Sequence, residues 1–185
     1  MLITPGYVAL LRDLHAQPRG FGASGRKHVD AVLAFAAETG SLSILDYGCG
    51  QGTLGAALRA KGWGGKLHEY DPAVPGKEAL PEPADLVVCS DVLEHVEPDH
   101  LEAVLGHIRS LARRAAYLYV STQPAHKVLG DGRNAHLIVA APEWWRARIC
   151  WDIACNTWRW LLVRSSIREN ADGVADVTFW LVPND

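Results

Sequence analysis

Apolar and polar residues recur along this chain with two periods, and the switches between them outline its elements. Tyr7 to His15 carries apolar groups at Val8, Leu10, Leu11 and Leu14, the spacing of one helical face. Gly20-Phe21-Gly22-Ala23-Ser24-Gly25 reads as a loop. Ser24 or Gly25 caps a second helix from about Arg26 to Glu38, which Thr39-Gly40 ends. Residues 42–46 form a short buried strand that runs into a glycine-rich turn. Helix follows from Thr53 to Lys61, ended by Gly62, and a second strand, 66–70, ends at Asp71-Pro72. The connection 72–83 carries Pro72, Pro75, Pro81 and Pro83 and is too short and broken for a helix plus a strand. Strand 85–90 leads into Asp91, and a helix over 98–113 has Pro98 near its first turn. Beyond strand Tyr117–Ser121 lies a polar loop, 122–141, with Asp131-Gly132-Arg133-Asn134 inside it. A helix Pro142–Ala154, a strand Thr157–Val163, a turn Glu169–Gly173 and a last strand Val174–Val182 complete the chain.

Alternating strands and helices predict an α/β fold, a doubly wound, mostly parallel sheet covered on both faces. The last two strands have no helix between them and should form an antiparallel hairpin at one edge. The 185 residues suit one domain, 1–185, and an apolar fraction of 49% with 21% charged residues is that of a globular chain. A formal charge of -3 exerts no global pull on nucleic acid. No apolar run reaches the ~20 residues of a membrane span, and the N-terminus does not resemble a signal peptide. Cys49, Cys89, Cys150 and Cys155 show no zinc-ligand spacing and read as reduced thiols of a cytoplasmic protein.

Chemistry concentrates at the first turn. After Asp46 the glycines fall at Gly48, Gly50 and Gly52, with Cys49 between them, where a Cβ would keep the backbone from a ligand. A dinucleotide site usually reads GxGxxG and holds a pyrophosphate at the start of the next helix. A carboxylate at Asp46 would repel that anion and favour a cationic ligand. Asp71, at the end of the second strand, suits the two hydroxyls of a ribose, so the ligand should contain adenosine.

Three blocks carry a resemblance: Ile44-Leu45-Asp46-Tyr47-Gly48-Cys49-Gly50-Gln51-Gly52, then Glu69-Tyr70-Asp71-Pro72, then Asp91-Val92-Leu93-Glu94-His95-Val96. In order and spacing they resemble class I S-adenosylmethionine-dependent methyltransferases, over roughly residues 40–145. The third block is similar to the branch holding ubiquinone-type O-methyltransferases and the 2′-O-methyltransferases of small-RNA ends. The segment Asp131–His136 is similar to compact members encoded by bacterial viruses. The resemblance implies a Rossmann-like sheet, S-adenosylmethionine as cofactor and S-adenosylhomocysteine as product. It implies that Gly48, Gly50 and Gly52 line the methionine part, that Asp71 with Pro72 holds the ribose, and that Asp91, Val92 and Leu93 lie beside the cofactor. Ser24–His28 would cover the cofactor carboxylate, with Arg26 or Lys27 supplying charge. The chain departs from the family between Asp71 and Asp85, where the usual helix, strand and adenine-contacting acid are missing. Glu78 and Glu82 are the acids left there.

Methyl transfer from an activated donor needs alignment and, for a hydroxyl acceptor, removal of a proton. His95, beside Glu94, is the first candidate, with His136 next and His126 and Arg133 behind it. The competing reading is that His95 packs the start of the next helix. A sharper one has Asp91, Glu94, His95 and His136 holding a divalent metal, but hydrogen bonding among them without metal is the preferred reading. Trp144, Trp145 and Trp151, read onto one helix, and Trp158 and Trp160, on one face of a strand, should be mostly core. Arg146, Arg148, Arg159, Arg164 and Arg168 add local positive charge. The acceptor is expected to be a small molecule or glycan methylated on oxygen. Nucleic-acid methylation and a non-catalytic cofactor-binding subunit stand as alternatives.

Overall fold

Ile44, Leu45 and Leu86 to Cys89 are fully buried, which sets their two strands at the middle of a sheet. The structure is a computed structural model and describes residues 1–17, 21–152, 157–158, 160–169 and 175–184. Strands β1 (Ser43–Tyr47), β2 (Lys66–Tyr70), β3 (Ala84–Ser90) and β4 (Ala112–Ser121) pair in parallel. Two later strands, β7 (Trp160–Glu169) and β8 (Ala175–Pro183), extend the sheet antiparallel, in the order β2-β1-β3-β4-β8-β7. This is the Rossmann-like α/β architecture expected, with its edge hairpin.

Alternation along the central strands sorts side chains onto two faces. Ile44, Leu86, Val88 and Tyr117 meet Val32 and Phe35 of helix α2 (Val29–Glu38) and Leu54 and Leu58 of α3 (Thr53–Ala60). Leu45, Val87, Cys89 and Leu118 meet Leu101, Leu105 and Ile108 of α4 (Leu101–Leu111) and Trp145 and Ile149 of α5 (Pro142–Cys150). The first helix, α1 (Pro5–His15), joins neither face. Its Tyr7 and Leu14 pack with Leu129 and Ala135 of the loop after β4, so helix and loop form a small core of their own above the sheet.

Several boundaries differ from those read off the sequence. Thr4 accepts a hydrogen bond from the Tyr7 amide and starts α1 two residues early. The helix expected over 26–38 opens with a 3-10 turn, Gly25–His28, and that over 98–113 opens with Pro98–His100. The latter ends at Leu111 because Ala112, Ala115 and Ala116 pair with Ala84, Leu86 and Val87, and sheet pairing overrides alanine's helix propensity. The helix expected to reach Ala154 stops at Cys150, which moves Trp151 into a short strand, β5 (Trp151–Asp152), paired with β6 (Thr157–Trp158). The strand expected over 157–163 is thereby split, and β7 continues to Glu169. Cys155, Arg159 and the turn at 170–173 lie outside the described residues. Cys49, Cys89 and Cys150 are buried free thiols. No helix among the described residues is long and apolar enough to cross a membrane.

Candidate active site

The turn after β1 folds back on itself through three left-handed residues, with φ of +77° at Gly48, +50° at Gly50 and +69° at Gly52. Its amides are consumed within the chain. Gly48 and Cys49 donate to the Tyr70 carbonyl, Gln51 to that of Gly22 at 2.9 Å and Gly52 to that of Cys49. Gly50 donates to Asp71 Oδ2 at 2.9 Å. The segment 21–26 lies across the turn: Thr53 Oγ1 donates to the Ala23 carbonyl and Gln51 Nε2 to that of Phe21. A pyrophosphate would find none of these five amides free.

Asp46 answers the same question differently from the sequence reading. It is 3% exposed, beneath the turn, and is not among the residues that line the cavity above it. Burial, then the neighbouring Glu69, raise its carboxyl to about 7, so at neutral pH it does not carry a full charge. What selects against an anion is the spent amides. The proline-rich connection 72–83, neither helix nor strand, supplies the support. Its Lys77 pairs with Glu69 at 3.1 Å and donates to the Gly50 carbonyl.

One cavity of about 680 Å³ opens over the turn. Gly48, Gly50, Asp71, Pro72, Asp91 and Val92 line one part of it, and His95, Ser121, Gln123, His126 and His136 another. Leu2, Tyr7 and His15 of the N-terminal segment, with Phe21, roof it. Cys49, Gly52, Leu93 and Glu94 stand behind this lining: Cys49 is buried with its thiol raised to about 12, Gly52 caps α3, and Leu93 belongs to the core. Glu78 and Glu82 are exposed and away from the cavity, as are Arg26 and Arg133; Arg133 is paired with Asp131 instead.

Asp91 is the one described non-glycine residue with positive φ, +55°. Lys27 Nζ stands 3.0 Å from its Oδ2, and His28 Nε2–H donates to it at 3.4 Å while Nδ1 accepts from the Tyr117 hydroxyl. Burial would raise this carboxyl, but the His28 hydrogen bond and the Lys27 charge prevail and hold it down to about 2. Asp91 is thus kept ionised by the covering segment. It is also drawn out of the four-residue metal set expected from the sequence.

The other three members come together. Glu94, His95 and His136 each bring one ligating atom within 4.8 Å of the others. His95 Nδ1–H donates to the Ala135 carbonyl at 2.7 Å and His136 Nδ1–H to that of Gln123, which leaves Nε2 of both rings as the acceptor. Their rings meet edge to face, 4.6 Å apart. Glu94 is fully buried; Oε1 accepts the Ser121 amide at 3.0 Å, and Oε2 has no partner. Burial and the Asp91 charge raise its carboxyl to about 8. Burial and His136 lower His95 to about 4, so its imidazole is neutral. His15, Phe21 and Tyr7 of the roof were not singled out by the sequence reading; helical spacing at 7–15 marked a helix and not which face would meet the site.

A family model described as a methyltransferase domain matches residues 21–171. No curated protein sequence matches. Among solved structures, the chain resembles 1,6-didemethyltoxoflavin-N1-methyltransferase of Burkholderia thailandensis, solved with its substrate and S-adenosylhomocysteine. The TM-score is 0.63 at 19% identity, over 100% of this chain and 92% of that one. Magnesium protoporphyrin IX methyltransferase of Synechocystis, solved with S-adenosylmethionine, aligns at 0.56 and 19% over 98% and 92%. The N-methyltransferase NodS of Bradyrhizobium japonicum aligns at 0.57 and 13% over 98% and 100%. At these identities the structures speak for the fold.

Proposed function

The chain belongs to the methyltransferase-domain family and is a class I S-adenosylmethionine-dependent methyltransferase, and we propose that it methylates an oxygen of a small molecule or glycan. The supporting observation is that a single cavity joins the glycine turn and Asp71 to His95 and His136. Gly48 and Gly50 with the roof at Gly22–Ser24 would hold the methionine part, and Asp71 the ribose. Pro72 and Val92 would flank the base in place of the missing acid. The cofactor supplies a methyl group already activated on a sulfonium. The work left to the chain is alignment and acceptance of a proton. His95 does the latter with Nε2, its other nitrogen fixed by Ala135, and His136 orients the acceptor hydroxyl.

The same side chains suit a divalent cation: two imidazoles anchored through Nδ1 on carbonyls, and a buried carboxylate oxygen without a partner. Glu94, His95 and His136 would hold it, and it would lower the pKa of an acceptor hydroxyl.

A tritiated-methyl screen against hydroxylated small molecules, glycans, amines and RNA tests the reading. Label on a hydroxyl compound, lost in His95→Phe, is the expected result. Label on amines or RNA alone overturns it, and cofactor binding without transfer to any class would favour a non-catalytic role. Exhaustive chelation followed by Mg²⁺ or Mn²⁺ decides the metal: unchanged activity after chelation removes it.

A further inference from the structure

His15, at the end of α1, is a cavity-lining side chain that the catalytic reading leaves unused, and it stands opposite Asp71. Its Nε2 is 4.0 Å from Asp71 Oδ2, too far for a hydrogen bond. Its Nδ1 is buried without a partner, beside Gly22, where a Cβ would come within 2.7 Å of His15 Cε1. Phe21 closes the other side, edge to face at 4.9 Å. The ring is therefore fixed in place, with its unpartnered nitrogen against protein and Nε2 toward the cavity. Burial keeps the imidazole neutral against the opposing pulls of Asp71 and of the Phe21 backbone, and Lys77 works in the same direction as burial. Asp71 already accepts the amides of Gly50 through Oδ2 and of Ala73 through Oδ1, both at 2.9 Å, so its carboxylate cannot turn to meet the histidine.

We propose that His15 is a cofactor-binding residue, which with Asp71 holds one ribose hydroxyl of the methyl donor between Nε2 and Oδ2. This rests on the function proposed above and extends it to a residue outside the glycine turn. A hydroxyl both donates and accepts: it gives its proton to Asp71 and receives Nε2–H of His15, filling the gap that neither side chain can close alone. Because His15 ends α1, the helix whose Tyr7 and Leu14 share a small core with the loop after β4, ribose recognition would also tie that roof to the sheet. The short 72–83 connection makes this useful, since the strand and helix usual in the family at that end of the cleft are absent.

Calorimetric titration of S-adenosylhomocysteine and its 2′-deoxy and 3′-deoxy analogues into the wild type, His15→Phe and His15→Gln provides the test. The wild type should prefer the parent compound over one of the deoxy analogues by about tenfold. His15→Phe should bind the parent about tenfold more weakly and discriminate no further against that analogue, while His15→Gln, which keeps a donor, should recover part of both effects. Equal losses on the parent and the deoxy compound in His15→Phe, or parent binding like that of the wild type, overturn the assignment. Failure of the wild type to bind S-adenosylhomocysteine at all would instead overturn the functional reading beneath it.

Discussion

A methyl group added at Gly50 would stand 2.6 Å from the Gly22 carbonyl oxygen, on a residue whose φ is already +50°. The Gly22 atoms it would meet are all backbone, with no side-chain end to swing aside, so Gly50→Ala should cost about 1–3 kcal/mol of stability and weaken S-adenosylhomocysteine at least tenfold, readable by denaturation and calorimetry. Asp46 yields a prediction in pH. Its carboxyl, near 3.8 in the unfolded chain and about 7 when folded, binds more protons in the native state across that interval. Stability contributed here therefore falls as pH rises from about 4 to about 7. Asp46→Asn removes the loss: its unfolding free energy from denaturant titration should match the wild type near pH 4 and exceed it near pH 8, by up to about 4 kcal/mol. A constant difference across that range would contradict the assignment. These residues also show what could be read in advance. Gly48, Gly50, Asp71, Asp91, His95 and His136, all named from the sequence, line the cavity. The charge attributed to Asp46 depended on its exposure, and burial is not written in a local pattern.

Helix α1 is tied down at two points besides its packing. The Tyr7 hydroxyl donates to the His95 carbonyl at 2.6 Å, and Glu97 accepts both the amide and the hydroxyl of Thr4. Tyr7→Phe removes only the first tie, about 1 kcal/mol. It should raise KM for the cofactor more than it lowers kcat, measured by steady-state kinetics once an acceptor is known. In the main core, Phe179 is fully buried on β8, and Phe179→Ala should cost about 3–5 kcal/mol and lower Tm by about 10 °C. Elements whose own sequence dictates them were legible: β1, β3, α3 and the broken 72–83 stretch. Those decided by a distant partner were not. Ala112 to Ala116 spell helix until paired with β3, and the polar run to Glu169 becomes strand because β8 offers it a ladder.

At the scale of the molecule, ligand binding should report on the whole fold. With S-adenosylhomocysteine at about 100 times its Kd, linkage adds about 2.7 kcal/mol, a rise in Tm of about 5–10 °C for a chain of this size. NAD at the same concentration should leave Tm unchanged, because its pyrophosphate meets none of the five spent amides; an equal shift with NAD would refute that account. The sheet order places both ends of the cavity at the carboxyl ends of β1, β2, β3 and β4, where open α/β sheets bind ligands. That position follows from strand and helix alternation and was readable from the outset. The roof was not, since it is built from α1 and a loop more than a hundred residues away.

The spent amides have a kinetic consequence too. A turn whose donors are all engaged before the ligand arrives has little left to rearrange on its arrival. Association should then be a single step. In stopped-flow mixing the observed rate would rise in proportion to S-adenosylhomocysteine concentration without levelling off, and a plateau would reveal a slow rearrangement preceding or following contact.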